Sequence, residues 1–281
     1  MERYLKPTAF FDYNQPQLKT WVEAQLGGVP EELLEQIKAL YLSVRDNISY
    51  NPYVFRTAPN TFSASYALET GESYCIPKAV LLGAAARSIG IPSRLGLADV
   101  RNHLSSPRLI EWLQSDIFRM HGFIELYLNG KWLKATPAFN RQLCELMNVE
   151  PLEFDGLHDS IFQEYTESGD AHMEYVNDHG LFEDVPHAFI VAGVRNAYPH
   201  LFPDSGHPEE HSGGHFSEIA ANGVDGFTEM NHSSGGQWHE ETEDLFGHMA
   251  QGQIGQDHVL VGCAQHPMHP SRGLQHIVGR Q

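Results

Sequence analysis

The 281-residue sequence predicts an α+β fold: N-terminal helices, a central helix packed on an antiparallel sheet, and a loose C-terminal tail. Three observations carry that prediction. Apolar residues recur at helical spacing in three segments before residue 90. An alternating run across 118–136 is split by Asn129-Gly130, and the composition changes near residue 200. Helical period, strand period and loss of period are the signals that separate helix, strand and loose chain.

The N-terminal helices are expected over Gln15–Leu26 and Pro30–Val44. In the second, Pro30 suits the first helical position, and Leu33, Leu34, Ile37, Leu40 and Tyr41 recur on one stripe. Asn51-Pro52 and Pro59-Asn60 end the helical pattern and make 47–61 a connecting segment. From Cys75 the pattern turns helical again: Ala79, Leu82, Ala86 and Ile89 share a stripe and Gly90 stops it, giving about four turns with Cys75 in the first. Ser93–Val100 reads as a strand and Arg108–Leu113 as a short helix. Phe118–Leu128 and Lys131–Thr136 read as two strands of a hairpin, because Asn-Gly supplies the positive φ angles of a type I′ turn. On the first strand His121 shares a face with Phe123, Glu125 and Tyr127, the more polar side. Asn140–Asn148 reads as helical, Leu152–Glu167 is ambiguous, and Val185–Ala197 is a last helix with a proline at its start.

These elements make one domain over 1–200, with its core at about 30–140, and a His- and Gly-rich acidic tail over 201–281. The tail holds Ser212-Gly213-Gly214 and Ser233-Ser234-Gly235-Gly236 and few periodic apolar residues, a composition that cannot bury enough surface to fold alone. The formal net charge of -18 repels phosphate backbones and anionic lipid, so neither nucleic acid nor membrane is an expected partner. No apolar run resembles a secretory leader or a bilayer span, which makes the cytoplasm the expected location. The three cysteines, Cys75, Cys144 and Cys263, are too scattered for a disulfide framework or a CxxC metal site.

A thiol at a helix start is a plausible nucleophile, since the unpaired N–H groups and positive dipole end there favour the thiolate. It needs a base that takes the thiol proton and returns it to a leaving amine, and imidazole titrates in the right range. Cys75 and His121 are the candidates for those roles. A third polar group usually orients the imidazole, and the second hairpin strand is well placed to supply it. Thr136 stands there.

The segment from Gly71 to Arg94, GESYCIPKAVLLGAAARSIGIPSR, resembles the transglutaminase-like core, in which a Gly-x-Cys element opens a helix and leads to Gly-Ile-Pro-x-Arg. His121 to Pro137, HGFIELYLNGKWLKATP, is similar to the second half of that signature, with His-x-x-x-Glu on a strand and a Gly-x-Trp hairpin leading to Asp-Pro. Ile48-Ser49-Tyr50 resembles the segment preceding the core. The resemblance implies a papain-like/transglutaminase-like core, a Cys-His-Asp triad, and acyl transfer through a thioester without a cofactor. The substrate it implies is a peptide, a protein or a small amide, with hydrolysis ahead of transamidation. The nucleophile falls on Cys75 and the base on His121. Two positions depart from the pattern: Thr136 replaces the aspartate four residues after Trp132, and Gly71 lies farther from Cys75 than Gly-x-Cys allows. Asn140 is the substitute orienting residue, ahead of Asp99 and Asp155.

Other readings compete. A lone cysteine or histidine is more often a packed structural residue, which is the reading kept for Cys144 and Cys263. His103 is a rival base, and Glu125 lies on the same strand face as His121. The missing aspartate favours a catalytically degenerate scaffold that binds peptides. Fourteen of the 17 histidines lie at or after His172, including His207, His211, His215, His266 and His269. Imidazoles ligate zinc, copper or nickel, so a metal-handling role for the tail is a third reading, although no defined metal site is expected. The oligomeric state is not legible.

Overall fold

The structure is a computed structural model and describes residues 1–103, 105–162 and 173–202. Its elements in chain order are α1 (Pro16–Leu26), α2 (Leu33–Asn47), β1 (Ser49–Tyr50), α3 (Ala64–Thr70), β2 (Glu72–Ser73) and α4 (Cys75–Ser88). Then follow β3 (Ser93–Asn102), α5 (Pro107–Leu113), β4 (Ile117–Leu128), β5 (Lys131–Ala135), α6 (Arg141–Leu146), β6 (Met173–Phe182) and α7 (His187–Ala197). The expected α+β class is what the chain adopts. A four-stranded antiparallel sheet runs β5-β4-β3-β6, and β1 and β2 form a separate parallel pair.

Helix α4 is the axis of the core. Every residue from Ile76 to Arg87 is buried, because α4 is covered by α2 and α3 and lies against β3 and β4. A helix enclosed in this way needs apolar residues all round rather than one stripe. Its two buried cations fix its position instead of breaking it. The Lys78 ammonium donates to the carbonyls of Arg45 (2.9 Å) and Ile48. The Arg87 guanidinium donates to Ser93 Oγ (3.0 Å) and to the carbonyls of Lys6 (2.8 Å) and Glu183 (2.7 Å), above the ring of Phe11. Burial pushes the pKa of Lys78 down to about 7. Because donors so placed keep their hydrogen bonds only in one alignment, they set where Cys75 comes to rest.

Several boundaries move from the sequence expectation. Helix α2 begins at Leu33 with Glu32 at the N-cap, so Pro30 lies outside it. Helix α7 begins at His187 with Pro186 at the N-cap. The hairpin turn is as expected: Asn129 (φ 50°) and Gly130 (φ 82°) are both left-handed. Two elements have no signal in the pattern. Helix α3 spans seven residues, capped by the Ser63 side chain and ended by left-handed Gly71 (φ 68°). Strand β6 is an edge strand with residues 174–178 all exposed and two register shifts against β3, so it lacks the alternation that marks a half-buried strand. No helix among the described residues is long and apolar enough to cross a membrane. Beyond Phe202 the expected tail lies outside the described residues.

Candidate active site

The approach to Cys75 is built by the β1–β2 pair. Gly71 ends α3, Glu72 and Ser73 pair with Ser49 and Tyr50, and Tyr74 is extended at the N-cap of α4. Gly71 therefore serves the preceding helix and not the elbow, which explains its distance from Cys75. Tyr74 makes no side-chain cap, so the first N–H groups of α4 are left for other acceptors. Backbone N–H groups of Cys75, Ile76 and Gly122 act to favour the Cys75 thiolate.

Gly122 also explains how strand and helix come so close. A Cβ there would lie 2.8 Å from Ile76 Cα and 3.2 Å from Ile76 N. Glycine in a strand permits such an approach of one backbone to another. The residue before it is His121, so β4 delivers its histidine beside the start of α4. The more polar strand face that carries His121 is nonetheless buried. His121 is 5% exposed, and Phe123 and Glu125 are also buried. The imidazole is covered by Phe162 (ring centroids 5.6 Å) and Tyr175 (6.4 Å).

Burial decides the electrostatics. It pushes the Cys75 thiol up to about 11, against the lowering effect of the three N–H groups, although the residue keeps partial exposure. It pushes His121 down to about 4. Both shifts favour a neutral thiol and a neutral imidazole at pH 7, rather than the thiolate expected from a helix start. Desolvation disfavours each charged form by more than the helix end supports it.

The orienting group is where the site departs furthest from a complete triad. His121 Nε2 is buried and has no hydrogen-bond partner among the described residues, and the same holds for Thr136 Oγ1, on a residue 1% exposed. The Tyr175 hydroxyl stands near both Thr136 and Cys75. Burial pushes it up to about 12, the Phe162 N–H opposes that, and the Cys75 thiolate would add to it. Tyr175 thus lies beside the His121 ring and within electrostatic range of Cys75. Asn140 Oδ1 accepts the Tyr50 N–H at 3.0 Å and ties the loop before α6 to β1. Asp99 bonds His179 and Arg119, and Asp155 bonds its neighbour His158 at the surface. Glu125 is paired with Arg94 at 2.6 Å, whose guanidinium lies over Trp132. His103 lies near Glu174 at 3.7 Å. The Cys144 thiol is buried and points to the Phe139 carbonyl.

Tyr175 and Phe162 have no signal in the sequence, since each reaches the site only through the fold. Gly122 had one, as a glycine inside a strand pattern next to the candidate base. Among the described residues no three His, Cys, Asp or Glu side chains gather as metal ligands. The tail histidines His207, His211, His215, His266 and His269, and Cys263, lie outside the described residues.

An α+β core that sets a cysteine at a helix start against a histidine-bearing strand defines a class of thiol-bearing scaffolds. Residues 19–137 match the family model described as Transglutaminase-like superfamily. The match agrees with the resemblance carried by the motifs around Cys75 and His121. A solved structure of a provisionally assigned cysteine protease from Cytophaga hutchinsonii is similar at 18% identity and a TM-score of 0.37. That similarity covers 48% of this chain and 40% of the other, so the chain spans about two-fifths of that protein's length. No curated protein matches the chain.

Proposed function

We propose that the chain is a thiol-dependent acyl-transfer enzyme acting on an amide or peptide bond, with hydrolysis ahead of transamidation. The observation that carries the proposal is the close approach of β4 to the start of α4: a Cβ on Gly122, the residue after His121, would lie 2.8 Å from the Cα of Ile76, the residue after Cys75. As Cys75 attacks the substrate carbonyl, its proton passes to His121 and the sulfur–carbon bond forms. The N–H groups at the start of α4, which no side chain caps, are available to the developing oxyanion. The tetrahedral adduct collapses with cleavage of the carbon–nitrogen bond, and the leaving amine takes the proton from His121. Water, deprotonated by His121, then attacks the thioester and releases a carboxylic acid and the Cys75 thiol. An amine in place of water gives transamidation.

The neutral resting pair fits a mechanism in which proton transfer accompanies attack. It also fits a second reading, a degenerate peptide-binding scaffold, which is favoured by Thr136 at the acid position and by the unpartnered His121 Nε2. Acylation by p-nitrophenyl acetate, read by intact mass and peptide mapping, separates the two. The enzyme reading expects an acetyl adduct on Cys75 that disappears in Cys75→Ser and forms at least about tenfold more slowly in His121→Ala. An unmodified Cys75, or a rate indifferent to His121, leaves the scaffold. Adding a primary amine and measuring amide against acetate partitions transamidation from hydrolysis.

A further inference from the structure

Strand β4 reaches His121 through a break in its ladder. Ala98 and Val100, two apart on β3, are partnered by His121 and Phe118, three apart on β4, so Asp99 stands opposite both Arg119 and Met120. In an unbroken strand, side chains three apart point to opposite faces, and the extra residue is what re-aims His121 relative to Phe118. Met120 takes the left-handed conformation (φ 59°), which a side-chain-bearing residue rarely adopts. The ladder on the other side of Asp99 is broken as well. Leu97 and Ala98 pair with Gly180 and Asp178, skipping His179, while Asp99 and Val100 pair with Asn177 and Tyr175, skipping Val176.

One carboxylate holds these irregular strands together. Asp99 Oδ1 accepts the Met120 N–H at 3.1 Å and stands 2.7 Å from His179 Nε2. Its Oδ2 accepts from Arg119 at 2.8 Å and from Asn177 at 3.4 Å. The side chain is 2% exposed. Burial works to raise its pKa, and the His179, Arg119 and Met120 donors more than offset this, so it stays ionised. Beyond the bulge, Met120 is wedged under α7, where a Cβ on Gly193 would fall 2.1 Å from its Cε.

We propose that Asp99 is a positioning residue for His121: it does not touch the ring, but clamps the bulge whose last backbone unit, Met120, immediately precedes it. This rests on the reading of Cys75 and His121 as nucleophile and base. It separates Asp99 from the role of triad acid, because both of its oxygens are engaged by β4 and β6 rather than by His121. A misplacement of about 1 Å in a reacting group lowers rates by about a hundredfold. A clamp one residue away has that leverage.

The test uses the full chain with Asp99→Ala, Asp99→Asn and Arg119→Gln, reading Cys75 acetylation and the ring resonances of His121 by NMR. Asp99→Ala is expected to shift the His121 resonances and to slow acetylation at least about tenfold. Asp99→Asn, which keeps one oxygen for the Met120 N–H, recovers part of both, and Arg119→Gln, which removes one donor from the clamp, falls between Asp99→Ala and the parent. Unmoved His121 resonances in a folded Asp99→Ala protein overturn the proposal, whatever happens to the rate. If Asp99→Ala does not fold, Asp99→Asn is judged by the same criterion. If neither folds, Asp99 is a folding residue and the proposal is overturned. A parent protein that is not acetylated at Cys75 sinks the acyl-transfer reading alone, since the resonances still judge the clamp.

Discussion

Replacing Gly122 by alanine tests the contact on which the candidate site depends. The new Cβ would meet Ile76 Cα and Cγ1 at 2.8 Å and Ile76 N at 3.2 Å. Two of those atoms are backbone, so no rotamer relieves the overlap. Reaching an ordinary contact of 3.4 Å from 2.8 Å requires the first turn of α4 to recede from β4 by about 0.6 Å. Overpacking of this kind destabilises by about 1–3 kcal/mol. Because the displaced turn carries Cys75, acetylation of Cys75 should fall by about tenfold to a hundredfold. Gly83→Ala is the matched control. Its Cβ meets the far ends of Phe11 (2.6 Å) and Ile124 (2.7 Å), a little over two turns along α4 from Cys75. A gain of about 1 kcal/mol in helix propensity offsets part of that overlap. Urea unfolding of both variants should show lost stability for Gly122→Ala and a smaller change for Gly83→Ala. Only Gly122→Ala should lose acetylation. Parental acetylation in Gly122→Ala, or an equal loss in Gly83→Ala, refutes the reasoning.

Three further outcomes follow from the same geometry. His121 has its folded pKa lowered from 6.5 to about 4, so its contribution is present above pH 6.5 and lost as pH falls through 4. Urea unfolding at pH 7 and pH 4 should show an acid loss of up to about 3 kcal/mol in the parent that is absent in His121→Leu. Thr136→Asp places a carboxylate near Tyr175 in the pocket that holds His121; its NMR titration should move the His121 midpoint up by about one unit or more, at a stability cost of about 1–3 kcal/mol. No movement would show that Thr136 does not address the ring. Arg94→Lys keeps the charge opposite Glu125 but loses the paired Nε and Nη2 donors and the stack on Trp132. Thermal or urea unfolding should register a loss of about 1–2 kcal/mol with acetylation of Cys75 unchanged.

The elements legible in the sequence are those whose signal is local. The 131–135 hairpin strand and its turn follow from Asn129-Gly130, because positive φ is an intrinsic preference of those two residues. Helix α4 was legible from its apolar period and Gly90, and Cys75 is its first residue. Strand β6 was missed because its pairing with β3 is interrupted twice and its residues 174–178 all keep solvent exposure, leaving no period to detect. Helix α3 was missed because seven residues are too few to establish one, even with a serine cap.

The residues by themselves determined the fold class, the order of cysteine before histidine, and the resemblance that residues 19–137 bear out. Each rests on neighbours in the chain: spacing, turn chemistry and contiguous motif. Only the tertiary structure decided the protonation of the candidate pair, with Cys75 raised and His121 lowered by burial. It also decided that Gly71 caps a helix, that Asn140 anchors a backbone, and that Asp99 joins β4 to β6. The physical reason is common to all of these. Desolvation and hydrogen bonding sum over atoms delivered by distant segments, such as Phe162 and Tyr175 around His121. A thiol at a helix start is favoured as thiolate by its own helix, and whether it ionises depends on everything else packed around it.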